Sequence, residues 1–275
     1  MDQRAKADRL RDLHVPGDPL LLLNAWDAAS AVVIARTGAR AIATSSAAAA
    51  NALGYADGQH LTREQMLGAV AAIASAVDLP VTADMEAGYG DDPEAAAATA
   101  RGVVAAGAVG LNMEDLRDGG DELLPIEGFT AKIAAVRAVG EETGIPLVLN
   151  ARTDAFLGQI GDPATRIERA VERGRAYLEA GADCIFVPGV VDLDVITALV
   201  QGIDGPVSVL AVPGSPALSD LKALGVARIS TGSGPYRAAL ALARRMGEEA
   251  YREGSLDSMI SAQVAFADAQ ALFPA

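Results

Sequence analysis

The stretch PVTADMEAGYGDDPEAAAATARGVVAAGAVGLNMED, residues 80–115, contains one complete unit of the fold. It begins with a short apolar segment ending at Asp84, passes through an acidic, glycine-containing loop, and enters an alanine-rich segment of helical period. Asp92 followed by Pro93 is typical of a helix start, and Gly107 is typical of a left-handed helix end. A second apolar segment follows. This order predicts two parallel strands joined by a crossover helix.

The same unit recurs along most of the chain, with a glycine after each helical segment and a proline at several strand entries. Eight such units predict a (β/α)₈ barrel, whose functional groups lie at the carboxyl ends of the strands. A doubly wound open sheet is the alternative, although no G-x-G-x-x-G motif follows the first strand. We predict strands at residues 20–25, 41–45, 80–84, 109–114, 146–150, 184–188, 206–211 and 228–231, and helices at 28–37, 62–77, 93–106, 129–142, 163–180, 192–200 and 215–224.

Further helices flank the predicted barrel at both ends of the chain. The first lies at about residues 2–14, and a helical extension covers about residues 234–272. No clear linker or low-complexity segment interrupts the sequence between them. We therefore expect residues 1–275 to form one barrel domain with helical extensions.

The composition narrows the class of protein. The 275 residues are 51% apolar and only 4% aromatic, and the formal net charge is −14. Such an acidic chain lacks the basic surface that nucleic-acid binding needs, and no segment is long and apolar enough to span a membrane. The single cysteine, Cys184, excludes an intramolecular disulfide. Because the charged N-terminus lacks the apolar core of a signal peptide, we expect a soluble, cytoplasmic protein.

Four acidic residues follow apolar segments in the first half of the chain: Asp57, Asp84, Glu86 and Glu114. Their carboxyls should meet at one end of a parallel sheet, where a cluster of negative charge is costly unless a cation neutralises it. The predicted cation is a hard divalent ion such as Mg²⁺, or alternatively Mn²⁺, because such ions prefer oxygen ligands. The competing interpretation for Asp84 and Glu86 is a solvated acidic loop that opens the next helix.

Polar and basic residues at other strand ends suggest a site for an anion. The hydroxyls of Ser45 and Ser46 could hold a substrate carboxylate, although small residues are also common in a tight strand-to-helix turn. Arg152 lies so close to a buried strand end that it needs an anionic partner. That partner is either a substrate carboxylate or phosphonate, or a salt bridge to Asp154 or Glu114.

Other reactive side chains give weaker signals. Tyr89 lies in the loop after the third strand and could close over a ligand. Cys184 lies inside an apolar strand and is predicted to be a core residue, not a nucleophile. We expect His60 to cap a loop and His14 to lie on the surface of the N-terminal helix.

Taken together, these segments resemble the isocitrate lyase/phosphoenolpyruvate mutase superfamily over roughly residues 20–232. The resemblance implies a (β/α)₈ barrel with a Mg²⁺ site at its mouth. It also implies a homotetramer, a dimer of dimers in which C-terminal helices are swapped between neighbouring barrels. The matching segments, in chain order, are NAWDAASA from Asn24, TSSAAAANALGYADG from Thr44, PVTADMEAGYGD from Pro80, AVGLNMEDL from Ala108, LNARTDAF from Leu149 and GADCIFVPG from Gly181.

The resemblance also implies roles for individual residues. Asp84 corresponds to the direct metal ligand, and the residues that hold the metal's waters correspond to Asp57, Glu86 and Glu114. The segment that grips the substrate carboxylate corresponds to Ser45, Ser46 and Ala47. Arg152 corresponds to the arginine that contacts substrate oxygens. The implied chemistry breaks or forms a bond next to a 2-oxo acid through a metal-stabilised enolate.

The loop after the fourth strand departs from this family pattern. Lyases of the superfamily carry a Lys-Lys/Arg-Cys-Gly-His loop, and mutases use a lysine with an asparagine-serine pair. Here residues 115–122 read DLRDGGDE and contain no Cys, His or Lys and no asparagine-serine pair. Gly119 and Gly120 still permit a mobile lid, on which Arg117 is the basic group.

Three hypotheses therefore stay open. The first is a Mg²⁺-dependent carbon–carbon lyase acting on a small 2-oxo or 2-hydroxy dicarboxylic acid, like an isocitrate or methylisocitrate lyase or an oxaloacetate decarboxylase. In this hypothesis the general acid is Tyr89, Glu114 or water. The second is phosphorus–carbon chemistry on phosphonopyruvate, as a mutase or hydrolase. The third is a barrel that binds a 2-oxo acid without turning it over.

Overall fold

The computed structural model describes residues 1–117 and 120–273. Within these ranges nine strands form one sheet in the order β1-β9-β8-β7-β6-β5-β4-β3-β2, and every pairing is parallel. The strands are β1 Leu20–Leu22, β2 Asn24–Ala25, β3 Ile42–Thr44, β4 Val81–Asp84, β5 Gly110–Glu114, β6 Val148–Arg152, β7 Cys184–Phe186, β8 Val207–Leu210 and β9 Arg228–Ser230.

The sheet closes on itself through its first segment. Leu20 in β1 pairs with Arg228 in β9, whereas Asn24 in β2 pairs with Ala43 in β3. The chain changes partners at Leu23, so β1 and β2 are two halves of the single strand predicted at residues 20–25. The predicted (β/α)₈ barrel is therefore confirmed.

Helices surround the sheet. They are α1 Gln3–Asp12, α2 Ala28–Ala35, α3 Ser46–Ala52, α4 Arg63–Ala76, α5 Pro93–Ala105, α6 Ile126–Thr143, α7 Arg166–Glu179, α8 Leu193–Ile203, α9 Leu218–Ala223, α10 Gly234–Glu248, α11 Asp257–Ala262 and α12 Phe266–Gln270. The predicted start of α5 is confirmed, because the Asp92 side chain accepts from the Ala95 amide at 2.8 Å and Pro93 takes the first turn. Gly107, after α5, has the predicted left-handed conformation with φ of +86°.

Helix α3 is absent from the sequence prediction, which assigns no helix between the strand at residues 41–45 and the helix at residues 62–77. The segment is SAAAANA, and alanine has the highest intrinsic helix propensity. Ser45 caps it by accepting a hydrogen bond from the Ala48 amide at 3.3 Å. The cap and the alanines together explain why this strand ends in a helix.

Helix α1 covers the amino-terminal end of the barrel. Leu10 packs there in a small apolar cluster with residues of β1, including Leu20 and Leu22. The prediction that His14 lies on the surface is wrong, since only 8% of it is exposed. Its Nδ1 lies 2.8 Å from the Leu10 carbonyl oxygen, and its Nε2 lies 3.5 Å from Nη1 of the buried Arg228. Burial and the Arg228 charge lower the pKa of His14 to about 4.

Three further features bear on the sequence predictions. Cys184 lies in β7 and is fully buried, as predicted, and burial raises the pKa of its thiol to about 12. Helices α10, α11 and α12 contain no buried residue. No helix within residues 1–117 and 120–273 has the length and apolar character needed to cross a membrane.

Candidate active site

The register of the barrel brings the predicted residues to one rim. Asp84 at the end of β4 pairs with Asn112, and Glu114 at the end of β5 pairs with Arg152 at the end of β6. The Glu114 amide also donates to the Glu86 carbonyl oxygen at 2.9 Å. Because carboxyl ends of parallel strands meet at the same edge, these side chains share the mouth of the barrel.

The segment after β3 holds Asp84. Its Oδ2 accepts from the Ser46 amide at 3.0 Å and from the Ser46 hydroxyl at 2.8 Å. The Asp84 amide donates to Thr44 Oγ1 at 2.8 Å. In the free protein Ser46 therefore binds Asp84, while Ser45 caps α3. Contact of Ser45, Ser46 or Ala47 with a substrate stays a prediction.

Two loops at the mouth are tied together by three residues with unusual backbones. Gln59, Glu86 and Tyr89 have φ of 57°, 51° and 61°. These values lie in the left-handed region, which residues other than glycine rarely adopt. The Gln59 amide donates to the Glu86 carboxylate, and the Gln59 side-chain oxygen accepts from the Tyr89 amide at 2.7 Å. The buried Tyr89 hydroxyl finds no hydrogen-bond partner among the residues described.

The carboxyl groups at the mouth are close enough for the charge of one to raise the pKa of another. Burial and the charges of Asp84 and Asp57 raise the pKa of Glu86 to about 7. Partial desolvation and Asp84 raise the pKa of Asp57. Burial also raises the pKa of Glu114, an effect that the charge of Arg152 opposes. The acids therefore form one electrostatic cluster, which a positive charge would stabilise.

A hydrated divalent cation fits this donor set. Among residues 1–117 and 120–273, no three His, Cys, Asp or Glu side chains form a group that could enclose an ion directly. The available ligands are carboxylate oxygens, the type that Mg²⁺ prefers, and Mg²⁺ usually binds one or two carboxylates and keeps several waters. The arrangement therefore suits one direct ligand with further acids acting through water.

Arg152 is fixed between two acids. Its Nη1 lies 2.7 Å from Glu114 Oε2, while its Nε and Nη2 lie 2.6 and 2.8 Å from the two oxygens of Asp154. Burial lowers the pKa of Arg152, but the charges of Glu114 and Asp154 outweigh burial and raise it overall. Both salt bridges that the sequence suggested are therefore present, and the guanidinium stays charged.

Sequence reasoning missed the buried network behind this arginine. Asp115 is fully buried, and its Oδ1 accepts from the Asp154 amide at 3.0 Å. Its Oδ2 accepts from Arg173 Nη1 at 3.0 Å and from the Tyr177 hydroxyl at 2.7 Å. A signal did exist, because Arg173 and Tyr177 are four residues apart on α7 and so share one face.

The two ends of the loop after β5 pair with each other. Leu116 and Leu123 form an antiparallel bridge, and the Arg117 amide donates to the Glu122 carbonyl oxygen at 2.8 Å. Arg117 also lies 3.3 Å from Asp91 in the loop after β4. Gly119, one of the two predicted lid glycines, lies outside the described residues.

The closed parallel sheet and the acidic residues at its mouth place the chain among the (β/α)₈ barrel proteins. Comparison with known proteins identifies its family within that class. Residues 10–251 match the family described as phosphoenolpyruvate phosphomutase. The chain belongs to this family, which confirms the resemblance to the isocitrate lyase/phosphoenolpyruvate mutase superfamily.

Its relatives carry out different reactions. The chain is 32% identical to the phosphonopyruvate hydrolase of Variovorax sp. (strain Pal2) over 218 residues, 73% of this chain and 71% of that protein. It is 32% identical to the 2-methylisocitrate lyase of Bacillus subtilis (strain 168) over 191 residues, 67% of this chain and 60% of that protein. A structure of phosphonopyruvate hydrolase with oxalate and Mg²⁺ superposes with a TM-score of 0.85 at 28% identity, covering 99% of this chain and 95% of that one.

Proposed function

We propose that the protein is a Mg²⁺-dependent lyase that acts on a small 2-oxo or 2-hydroxy dicarboxylic acid through an enolate intermediate. Isocitrate-lyase-like or methylisocitrate-lyase-like cleavage and oxaloacetate decarboxylation are the two forms that we consider. The observation that carries the proposal is the cluster of carboxyls around Asp84, whose mutual repulsion calls for a cation. The 2-methylisocitrate lyase relative and the Mg²⁺ in the hydrolase structure support it.

The acids would bind the cation in two ways. Asp84 would be the direct ligand, and the carboxyls of Asp57, Glu86 and Glu114 would hold its waters. A hard divalent cation, Mg²⁺ or Mn²⁺, would polarise the carbonyl oxygen of a 2-oxo acid and stabilise the negative charge that develops there.

Arg152 is suited to bind a substrate carboxylate. A guanidinium has five N–H donors, and the contacts with Glu114 and Asp154 use only some of them. Because those acids fix the guanidinium plane, little side-chain entropy would be lost when a carboxylate binds. Residues 45–47 would supply the remaining polar contacts.

Proton transfer would fall to Tyr89, Glu114 or a bound water. Burial and the charges of Glu86 and Asp84 raise the pKa of Tyr89, so its hydroxyl stays protonated. That hydroxyl is buried and has no partner within the described part of the chain, which leaves it available to a substrate oxygen. A positioned acid of this kind typically contributes about 10²–10⁴-fold to a rate.

A second candidate is phosphorus–carbon chemistry on phosphonopyruvate. The identity with phosphonopyruvate hydrolase, 32% over 73% of this chain, favours it. A barrel that binds 2-oxo acids without turnover is the outcome to expect if no substrate reacts.

A product-detecting screen tests the proposal. The purified protein with Mg²⁺ would be offered isocitrate, methylisocitrate, oxaloacetate, dimethylmalate and phosphonopyruvate, with EDTA-treated protein and an Asp84→Asn variant as controls. Metal-dependent cleavage of a dicarboxylate supports the lyase, and phosphate release from phosphonopyruvate supports the second candidate. Tight 2-oxo acid binding with no product from any of them would contradict both.

We also propose that the chain acts in the cytoplasm as a homotetramer with swapped C-terminal helices. Large apolar side chains on the C-terminal segment support association, since Tyr251 is 93% exposed and Phe266 is 80% exposed. Light scattering of the full chain and of a chain ending at residue 255 would test this proposal. A monomeric full-length protein would contradict it.

A further inference from the structure

The loop after β4 is folded around a buried ammonium group. Lys132, on α6, is fully buried. Its Nζ donates to the Ala87 carbonyl oxygen at 2.5 Å and to the Gly90 carbonyl oxygen at 2.7 Å. These carbonyls belong to the loop that begins at Asp84 and carries Glu86. A fixed positive charge therefore lies against the back of the loop that contributes two of the four clustered acids.

Other contacts also constrain the conformation of this loop. Gly88 has φ of +87°, and a Cβ there would lie 3.0 Å from Met113 Sδ and 3.8 Å from Lys132 Nζ. The Thr99 hydroxyl donates to the Gly88 carbonyl oxygen at 2.8 Å. Three successive parts of the loop are thus bound through their carbonyl oxygens by side chains of α5 and α6. Backbone carbonyls that converge in this way need a cation or several donors to stay together.

We propose that Lys132 is a positioning residue that holds residues 85–90 in the shape in which Asp84 and Glu86 face a bound divalent cation. The inference rests on the proposed metal site. Lys132 binds the loop through its backbone, since its Nζ donates to the Ala87 and Gly90 carbonyl oxygens. Loss of the charge-assisted hydrogen bonds to Ala87 and Gly90 would let the loop relax away from the metal-binding shape.

The same helix offers a matched control. Arg137, also on α6, is a half-buried cation that donates to the Gly181 carbonyl oxygen at 2.6 Å and to the Leu147 carbonyl oxygen. These carbonyls lie where the chain enters β6 and β7, at the end of the barrel opposite the acids. Arg137 also forms a salt bridge with Asp183. Lys132→Met and Arg137→Met each remove one cation of α6 from backbone carbonyls, but only the first does so beside the acidic loop.

Two measurements on the full-length variants test the inference. Hydrogen–deuterium exchange without metal reports the order of residues 85–91, and electron paramagnetic resonance of free Mn²⁺ reports metal affinity. We expect Lys132→Met to speed exchange in residues 85–91 and to weaken Mn²⁺ binding about 10–100-fold, as loss of an outer-sphere partner does elsewhere. Arg137→Met should speed exchange near residue 181 and leave Mn²⁺ affinity unchanged. Thr99→Val removes a single hydrogen bond to the same loop and should weaken Mn²⁺ binding less than Lys132→Met does. This variant serves as the test if Lys132→Met does not fold.

The possible outcomes separate this inference from the proposed function. A folded Lys132→Met variant with wild-type Mn²⁺ affinity overturns the inference, and so does an equal loss in Arg137→Met, which would indicate general destabilisation. If Lys132→Met does not fold, unchanged Mn²⁺ affinity in Thr99→Val overturns it. If the wild-type protein itself fails to bind Mn²⁺, the proposed metal site is wrong, and the exchange data alone then decide whether Lys132 shapes the loop.

Discussion

Replacing Asp115 with asparagine should destabilise the barrel strongly. The carboxylate is fully buried and accepts from Arg173, Tyr177 and the Asp154 amide. Asparagine keeps the shape, but it has one acceptor oxygen where the carboxylate has two, and it leaves the buried guanidinium without a counter-charge. Removing one partner of a buried ion pair typically costs about 3–5 kcal/mol. We expect the free energy of unfolding to fall by this amount, a large share of the ~5–15 kcal/mol typical of a folded protein.

Urea unfolding followed by circular dichroism measures this loss. The control is Glu142→Gln, which removes an exposed partner of Arg101 at 3.1 Å and should cost at most about 1 kcal/mol. Adding Arg173→Met to Asp115→Asn should recover part of the stability, because it removes the uncompensated buried charge.

A loss below about 1 kcal/mol for Asp115→Asn would refute this reasoning, since it would put the pair on the scale of an exposed one. A double variant less stable than Asp115→Asn alone would also contradict it. The single variant should further raise KM for the substrate found by the screen, because Asp115 holds the Asp154 amide and Asp154 holds Arg152.

Three further predictions concern single residues. Asp84→Ala should abolish metal-dependent turnover, since it removes the proposed direct ligand; retained Mg²⁺-dependent activity would mean that the site is misassigned. Cys184→Ser should lower stability by about 1–3 kcal/mol, because a hydroxyl is buried there, yet turnover of the folded variant should be nearly intact. A large fall in kcat would instead identify a nucleophile. Because folding lowers the pKa of His14 from 6.5 to about 4, the unfolded chain binds the extra proton first as pH falls. The free energy of unfolding should therefore decrease by about 3 kcal/mol from pH 7 to pH 4 beyond the change in a His14→Gln variant, and parallel urea-midpoint curves for the two proteins would disprove the effect.

The sequence predicted the barrel because its signals are local. Alternating apolar and helical segments, with glycine stops between them, depend on neighbouring residues only. Details that depend on distant partners were missed. The break at Leu23 follows from two different neighbours, β9 and β3, and β6 extends to Arg152 because its pairing with β5 extends to Glu114.

The same distinction applies to the site. Asp84, Glu114 and Arg152 were predictable because strand ends in a parallel sheet share one rim. Lys132 was not, because the Ala87 and Gly90 carbonyl oxygens to which it donates lie some forty residues earlier in the chain, and backbone groups leave no mark on side-chain patterns. Arg228 was missed for a related reason, since a charged residue at a strand start resembles an exposed one until His14 and Asn112 are seen to contact it.

The link between the loops around Gln59 and Tyr89 has a consequence for protein engineering. Each loop supplies a hydrogen bond on which the other's strained backbone depends. Replacing one of them with the corresponding segment of another barrel would leave the second without its support. The two segments therefore form one unit, and residues 55–60 and 85–91 would have to be exchanged together, along with Thr99 and Lys132, which hold the second segment from α5 and α6.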